Sequence, residues 1–210
     1  MRRYVTEFIG TFGLVLTIGC TVLGGKSGVI PPIAIGAALM VMVFAGGHVS
    51  GAHYNPAVSL AVFLRGRLDA KDLVPYWAAQ LLGALLAASA ARYITDAHGS
   101  SPAFHGREIG VALLAEFLFT FLLAYVVLNV ATSKSHPDNN FYGIAIGFTV
   151  MAGAFAVGPF SNGAFNPAVA VGIWVMDLVA FKSLWIYLVA NLAGAAAAAL
   201  TFKALNPEDA

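Results

Sequence analysis

Long apolar segments, separated by short polar ones, dominate this chain. Six of them are long enough to form a helix that crosses a bilayer, whose hydrocarbon core requires about 20 apolar residues per helix. These segments cover residues 4–24, 32–49, 73–95, 108–131, 140–158 and 181–204. Glycine, proline and charged residues concentrate in the connections between them. The pattern therefore predicts an all-α membrane protein with six transmembrane helices.

Two shorter apolar stretches, residues 55–64 and 166–176, lie between the second and third and between the fifth and sixth segments. Each begins with the triplet Asn-Pro-Ala and follows a loop of small residues, 50–54 or 161–165. Proline is tolerated in the first helical turn, because the N–H that it lacks would have no intrahelical acceptor there. Asparagine is a favoured N-cap. Each stretch is therefore predicted to be a half-helix that directs its positive end into the membrane.

The composition supports a membrane protein and excludes several other classes. Of the 210 residues, 60% are hydrophobic and only 10% are charged, whereas soluble domains carry about 25% charged residues. The formal net charge of +1 gives no electrostatic basis for binding nucleic acid. A single cysteine, Cys20, excludes an internal disulfide and a thiolate metal cluster, and we expect it to be a small apolar residue of a span.

The basic pair Arg2-Arg3 ahead of an apolar run is also a feature of secretory signal peptides. The run from Val5 to Leu23 is nevertheless long enough to span the bilayer, and it contains Glu7, which has a counterpart in the second half. We therefore expect this segment to be retained as the first transmembrane helix.

The two halves of the chain, 1–99 and 100–210, repeat each other within one domain of 1–210. The matched pairs are Asn55 and Asn166, Gln80 and Asn191, and Gly36 and Gly147, each 111 residues apart, and Glu7 and Glu116, 109 residues apart. Each half contains three full spans, and because three is odd the second half must insert upside down. The two half-helices are then expected to enter from opposite faces and to meet by their N-termini near the midplane.

The distribution of lysine and arginine predicts the orientation of the chain. If both termini are cytoplasmic, seven basic residues lie inside and four outside. The inner set is Arg2, Arg3, Arg65, Arg67, Lys71, Lys134 and Lys203, and the outer set is Lys26, Arg92, Arg107 and Lys182. The positive-inside rule therefore favours cytoplasmic N- and C-termini.

With these features the chain resembles the aquaporins, the major intrinsic protein family, over nearly its whole length. The resemblance rests on Ser-Gly-Ala-His-Tyr-Asn-Pro-Ala-Val at 50–58, the second Asn-Pro-Ala, the duplicated Glu-Phe, and the pair Gln80 and Asn191. It implies six spans and two half-helices per protomer, one pore in each protomer, a homotetramer, and a place in the plasma (inner) membrane. No cofactor is expected.

The two triplets, Asn55-Pro56-Ala57 and Asn166-Pro167-Ala168, are the predicted centre of the pore. The asparagine amides would donate to a passing solute, and main-chain carbonyls of loops 48–54 and 159–165 would accept from it. Irregular backbone at this depth is tolerated only where it lines a cavity. The positive half-helix ends would raise the energy of any cation, hydronium included. The alternative is that both asparagines are ordinary helix caps.

Glu7 and Glu116 are the acidic residues well inside predicted spans, where an unpartnered carboxylate is costly. A proton relay or coupling site is one interpretation. The family pattern favours a second, in which each carboxylate accepts hydrogen bonds from the N–H groups of its re-entrant loop. Gln80 and Asn191 are likewise expected to brace loops or pack helices. Close helix contacts are predicted at the matched glycines Gly36, Gly83, Gly147 and Gly194.

His48 and His53 flank the first re-entrant loop, and because no third ligand is visible we predict no metal site. His53 matches the loop histidine of the family, which implies that it holds the loop backbone. His48 is expected to border the inner vestibule. Neither is predicted to be catalytic.

Four positions of the outer constriction, the selectivity filter, follow from the resemblance: Ile35, Ala154, Gly163 and Val169. Water-selective members of the family have Phe, His, a small residue and Arg at these positions, and glycerol channels place two aromatic residues against the arginine. Without the arginine the ring loses a fixed charge and its donors, and the small residues widen it. We therefore predict a passive channel for water and uncharged solutes such as glycerol, urea, arsenite, boric acid or silicic acid. The alternatives are that Val169 only packs while a loop residue narrows the mouth, or that the channel is water-selective.

Three other classes of function differ from a passive channel in what they require. A coupled secondary transporter also uses inverted repeats and broken helices, but only Glu7 and Glu116 could supply its titrating site. A membrane enzyme would need a nucleophile–base pair or a metal constellation, and the sequence offers neither. A non-conducting structural tetramer would show no solute flux.

Overall fold

The computed structural model describes residues 1–26 and 28–209, so that Ser27, in the first predicted connection, and Ala210 lie outside the described residues. Within this part of the chain there are eight α-helices, a 3₁₀ turn at Phe181–Ser183, and no β-strand. The helices are α1 (Arg2–Val22), α2 (Ile30–Ser50), α3 (Pro56–Leu64), α4 (Ala70–Thr95), α5 (Arg107–Thr132), α6 (Tyr142–Ser161), α7 (Pro167–Val175) and α8 (Leu184–Leu205).

Six of the helices are long and apolar enough to cross a membrane: α1, α2, α4, α5, α6 and α8, the last together with its 3₁₀ turn. The remaining two, α3 and α7, have nine residues each and are too short to span. The predicted fold class, six transmembrane helices with two half-helices, is confirmed. Large apolar side chains such as Leu82, Leu86, Phe148 and Trp185 are exposed on the outside, as an integral multi-pass membrane protein requires.

Several helix ends differ from the sequence-based bounds by up to three residues, and two of these differences involve proline. α2 begins at Ile30, because Pro31 and Pro32 fit in its first turn. α6 continues through Pro159 to Ser161, although the prediction ended it at 158. A helical backbone satisfies its own polar groups, which outweighs the bond lost at one proline inside a membrane. The re-entrant loops are therefore shorter than predicted, with the irregular backbone restricted to residues 51–55 and 162–166.

The helices pack by a scheme that is the same in both halves of the chain. α1 packs against α2 and α4, and α5 packs in the same way against α6 and α8. The half-helices cross between halves, since α3 lies against α8 and α7 lies against α4. This exchange places the N-termini of α3 and α7 next to each other in the interior.

Glycine permits the close approach of the helices at matched positions. A Cβ atom on Gly83 of α4 would lie 2.5 Å from the carbonyl oxygen of Phe8, and one on Gly194 of α8 would lie 2.5 Å from that of Phe117. Gly36 and Gly147 lie against each other between α2 and α6. Small residues of this kind let transmembrane helices approach to backbone contact, and here they hold the two helix bundles that enclose the half-helices.

Candidate functional site

Asn55 caps α3 and also reaches the opposite loop. Its backbone is extended, and its side-chain oxygen accepts from the N–H groups of Ala57 (2.8 Å) and Val58 (3.4 Å). Its side-chain nitrogen donates to the main-chain oxygen of Phe165 at 2.9 Å. The predicted N-cap is thus present, and the amide does more than cap the helix.

Asn166 makes the same set of contacts from the other side. Its side-chain oxygen accepts from the N–H groups of Ala168 (2.9 Å) and Val169 (3.4 Å), and its nitrogen donates to the main-chain oxygen of Tyr54 at 2.9 Å. One N–H of each amide therefore joins the two loops, which corrects the expectation that the whole amide group faces a solute. A second N–H remains on each side chain.

The carboxylate of Glu7 is completely buried and organises the first loop. One oxygen accepts from the Ser50 hydroxyl (2.6 Å) and the main-chain N–H of His53 (3.0 Å), and the other from the N–H of Tyr54 (2.6 Å) and the side chain of Gln80 (2.8 Å). The negative charge is thus compensated by four donors, which come from the end of α2, the re-entrant loop and α4.

Glu116 is buried to the same degree and does the same for the second loop. Its oxygens accept from the Ser161 hydroxyl (2.8 Å) and the N–H groups of Ala164 (2.9 Å) and Phe165 (2.7 Å). The Asn191 amide is oriented so that its nitrogen faces the carboxylate. The Asn191 nitrogen then donates to Glu116 at 3.1 Å, and the Asn191 side-chain oxygen accepts from the main-chain N–H of Asn166 at 2.7 Å. The geometry is that of loop support.

The resemblance implies that His53 holds the loop backbone, and its ring makes its hydrogen bond to a side chain of α3. Its ring nitrogen Nδ1 pairs with the Ser59 hydroxyl at 3.1 Å, and the ring packs on Tyr76 with centroids 5.1 Å apart. Ser59 in turn donates to the main-chain oxygen of Asn55 at 3.1 Å. The ring therefore holds the first turn of α3, and only its main-chain N–H belongs to the loop network.

Two tyrosines support the loops and were missed in the sequence. The Tyr76 hydroxyl donates to the main-chain oxygen of Ser50, and the Tyr187 hydroxyl donates to that of Ser161, both at 2.7 Å. The two residues are 111 residues apart, so the repeat offset was the signal that could have identified them.

Two cavities lie on either side of the paired loops and share His53 and Val127. The filter cavity is lined by all four predicted filter residues, Ile35, Ala154, Gly163 and Val169. Most of its other walls are aliphatic: Leu14, Ile18, Val22, Leu39, Val58, Leu123, Ile146, Val150, Ile173 and Leu178. Of the described residues that line this cavity, none is Asp, Glu, Lys or Arg.

Two of the predicted filter residues, Ala154 and Gly163, are small and lie close to each other. Gly163 has a left-handed backbone (φ 61°), and a Cβ atom on it would lie 3.5 Å from the Cα atoms of Ala154 and Gly158. Val169, in the first turn of α7, is only 4% exposed. The wall is consequently formed by backbone and short aliphatic groups.

The polar cavity, on the other side, is lined by His48 and by charged residues of several connections: Arg3, Arg67, Asp69, Lys134 and Asp138. Neither Glu7 nor Glu116 is among the described residues that line the two cavities. Glu7 lies behind its hydrogen-bond donors Ser50, His53 and Tyr54, which line the cavities. No group of three or more possible metal ligands occurs within the described residues.

A buried ion pair joins the C-terminal segment to the connection that follows α3, and the sequence did not indicate it. Asp209 accepts from the Arg65 guanidinium at 2.5 Å and from the main-chain N–H of Lys134 at 2.8 Å. Burial alone would raise the pKa of the Asp209 carboxyl, but the Lys134 N–H, the Ser133 hydroxyl and the Arg65 charge outweigh it and hold that pKa below its ordinary value.

Comparisons with known proteins agree with this geometry. A family model described as Major intrinsic protein matches residues 1–202. The chain is 36% identical to the glycerol uptake facilitator protein-like 6 of Lactiplantibacillus plantarum over the full length of both. It is also 36% identical to aquaporin NIP1-1 of Oryza sativa subsp. japonica, covering 98% of this chain and 75% of the relative.

Two further matches cover almost the whole chain. The identity to aquaporin Z of Brucella melitensis biotype 1 is 35% over the full length of both proteins. The solved X-ray structure of the aquaglyceroporin from Plasmodium falciparum superposes with a TM-score of 0.83 at 22% identity, covering 99% of this chain and 98% of that one. At that identity the likeness supports the fold.

Proposed function

Because the chain belongs to the major intrinsic protein family, a family of membrane channels for water and small solutes, we propose that its own pore carries uncharged solutes larger than water. Glycerol, urea and neutral hydroxides of arsenic, boron or silicon are the proposed class. The observation that carries the proposal is the filter cavity, whose four filter positions hold Ile35, Ala154, Gly163 and Val169 and no charge.

The size of these side chains supports passage of solutes larger than water. Ala154 and Gly163 leave space where an aromatic or imidazole ring would narrow the passage, and a side chain at Gly163 would be strained by its positive φ. The aliphatic walls can contact the carbon skeleton of a polyol, while main-chain carbonyls of residues 162–164 are proposed to accept from its hydroxyl groups. A bare water molecule gains less from such a wall.

Cation exclusion in this proposal depends on the paired half-helices. The N-termini of α3 and α7 meet at the loops, as the reciprocal bonds of Asn55 and Asn166 require. Each helix end carries a partial positive charge of about half an elementary charge. Two such ends raise the energy of a cation at the junction, and the described residues of the filter cavity include no Asp or Glu to compensate it.

The name of one relative supports glycerol as a solute. This relative, which matches over its full length, is called glycerol uptake facilitator protein-like 6, whereas others are called aquaporins. The excess of lysine and arginine on one side supports cytoplasmic termini, with the polar cavity facing the cytoplasm. A homotetramer in the plasma membrane completes the proposal.

The test is a solute panel on purified protein in liposomes, with protein-free liposomes as the control. Stopped-flow shrinkage and re-swelling should show water flux and, in addition, clear glycerol or urea flux that is not saturable and needs no ion gradient. Water flux alone would indicate a water-selective channel and would refute the wide filter. Uptake that requires a proton or sodium gradient would instead identify a coupled transporter.

A further inference from the structure

Asn162 ends α6 at the entrance to the second re-entrant loop, with left-handed backbone angles φ 67° and ψ −6°. The matched residue of the first loop, 111 positions earlier, is Gly51, with φ 88° and ψ −6°. Each donates its main-chain N–H to the carbonyl four residues before, at 2.9 Å and 3.0 Å. The turn therefore needs a left-handed residue, and glycine meets that need in one of the two copies.

An asparagine at this position adds a side chain that the turn does not require. Asparagine is among the few non-glycine residues that tolerate the left-handed region, but glycine adopts it without strain. The position consequently keeps a polar side chain at a small conformational cost, although Gly51 shows that the chain folds the same turn without one.

The Asn162 amide is held in place by Tyr187. Its nitrogen donates to the Tyr187 hydroxyl oxygen at 3.1 Å, and that hydroxyl donates to the main-chain oxygen of Ser161 at 2.7 Å. One amide N–H is used in this way, and within the described residues the amide oxygen receives no hydrogen bond. Asn162 is exposed and lines the filter cavity directly beside Gly163.

The other polar side chains that line this cavity have hydrogen-bond partners in the loops or in the helices beside them. Asn55 and Asn166 donate across the loops, His53 pairs with Ser59, and the Tyr54 hydroxyl donates to the main-chain oxygen of Met42 at 2.9 Å. Asn162 is thus the polar side chain that stands at the filter itself, away from the junction.

We propose that Asn162 is a specificity-determining residue of the filter, where its free N–H and carbonyl bind a hydroxyl or amide group of the solute. The inference rests on the proposed function and deepens it, since it assigns the recognition group in a ring without a cation. A neutral amide presents a donor and an acceptor together. It therefore matches solutes that also carry both, the small polyols and urea, while the aliphatic walls contact their carbon atoms.

The variant Asn162→Gly tests this, because Gly51 occupies the same turn in the first loop and the backbone is preserved. Loss of one hydrogen bond of about 0.5–1.5 kcal/mol corresponds to a factor of about 2–10. We expect glycerol and urea permeability in liposomes to fall by about that factor, with water permeability unchanged or raised. An unchanged or raised glycerol-to-water ratio would overturn the proposal.

A second pair of variants tests the positioning by Tyr187 and does not depend on the first. Tyr187→Phe and Tyr76→Phe each remove a hydrogen bond to a loop carbonyl, but only the former releases Asn162. We expect the glycerol-to-water ratio to fall in Tyr187→Phe and to be kept in Tyr76→Phe. Equal ratios in the two variants would show that the tyrosines are structural supports only and would contradict the assignment.

The wild-type protein separates this inference from the proposed function. Glycerol flux in the wild type together with an unaltered ratio in Asn162→Gly would refute the role of Asn162 alone. Absence of glycerol and urea flux in the wild type would refute both.

Discussion

The side-chain nitrogen of Asn55 lies 2.9 Å from the main-chain oxygen of Phe165, in the opposite re-entrant loop. Asn166 makes the matching bond to Tyr54 at the same distance. Each asparagine therefore caps its own half-helix and holds the other loop. The junction of the half-helices is thus held by a reciprocal pair of hydrogen bonds, the clasp, in which the helix caps and the contact between the loops depend on the same two side chains.

Removal of one amide should weaken both loops. In Asn55→Ala the cap of α3 and the bond to Phe165 are lost together, which predicts a destabilisation of about 1–3 kcal/mol. Thermal unfolding of the purified protein in detergent measures this. Asn140→Ala, at an exposed position, is the matched control and should unfold like the wild type. Equal stability of Asn55→Ala and the control would show that the clasp is not a structural support.

A positively charged side chain at position 169 should make the pore discriminate against glycerol and urea relative to water. Val169→Arg would place a guanidinium in a cavity whose described lining carries no Asp, Glu, Lys or Arg, and it should reduce glycerol and urea flux more than water flux. Val169→Met is the control, since it lengthens the side chain without a charge. Stopped-flow measurements of solute and water flux in both variants separate the effect of side-chain length from the effect of the added charge. Equal loss of water and solute flux in Val169→Arg would mean that this residue does not set the filter.

The buried carboxylates should be needed for structure. In Glu116→Gln an amide N–H₂ would replace an oxygen that accepts from loop donors, leaving donors facing each other, which predicts a loss of about 1–3 kcal/mol and lower flux of every solute. Thermal unfolding and liposome flux are the measurements, and the exposed Glu208→Gln is the control. A Glu116→Gln variant with unaltered stability but a changed pH dependence of flux would support the proton relay instead.

The close helix contacts predict that replacing glycine by alanine lowers the stability of the protein at a contact position but not at an open one. Gly194→Ala should destabilise by about 1–3 kcal/mol, because the added Cβ would overlap the carbonyl of Phe117. Gly110→Ala, on α5, meets nothing within 4 Å and should be neutral or slightly stabilising. Unfolding in detergent compares the two. Similar stability in both variants would indicate that α5 and α8 adjust to the contact.

The pairing of Asp209 predicts a specific dependence on pH. The pKa of this carboxyl is lowered in the folded chain, so its contribution to stability is fully present above the ordinary aspartate pKa and is lost as the pH falls through the lowered value. The stability difference between wild type and Asp209→Asn should thus be constant near neutral pH and shrink in acid. A difference that grows on acidification would contradict the assigned direction.

The amino-acid sequence alone determined the elements and their approximate ends. The lengths of the apolar segments required six spans, and Asn-Pro at two points required helices that begin inside the membrane. The offset of 111 residues also identified Gly36 and Gly147, which lie in contact. These features are local or periodic, and a bilayer leaves few alternatives to helices that satisfy their own backbone groups. The division into two repeats and their inverted insertion stay predictions.

Tertiary structure decided which groups meet. Sequence spacing could not predict four of the contacts described above. They are the hydrogen bonds of Asn55 with Phe165, Tyr187 with Asn162, His53 with Ser59, and Asp209 with Arg65. Each joins residues whose partner is chosen by helix packing, and a hydrogen bond needs its atoms placed within a few tenths of an ångström. The continuation of α6 through Pro159 was also missed, because inside a membrane a helical backbone that satisfies its own polar groups outweighs the bond lost at one proline.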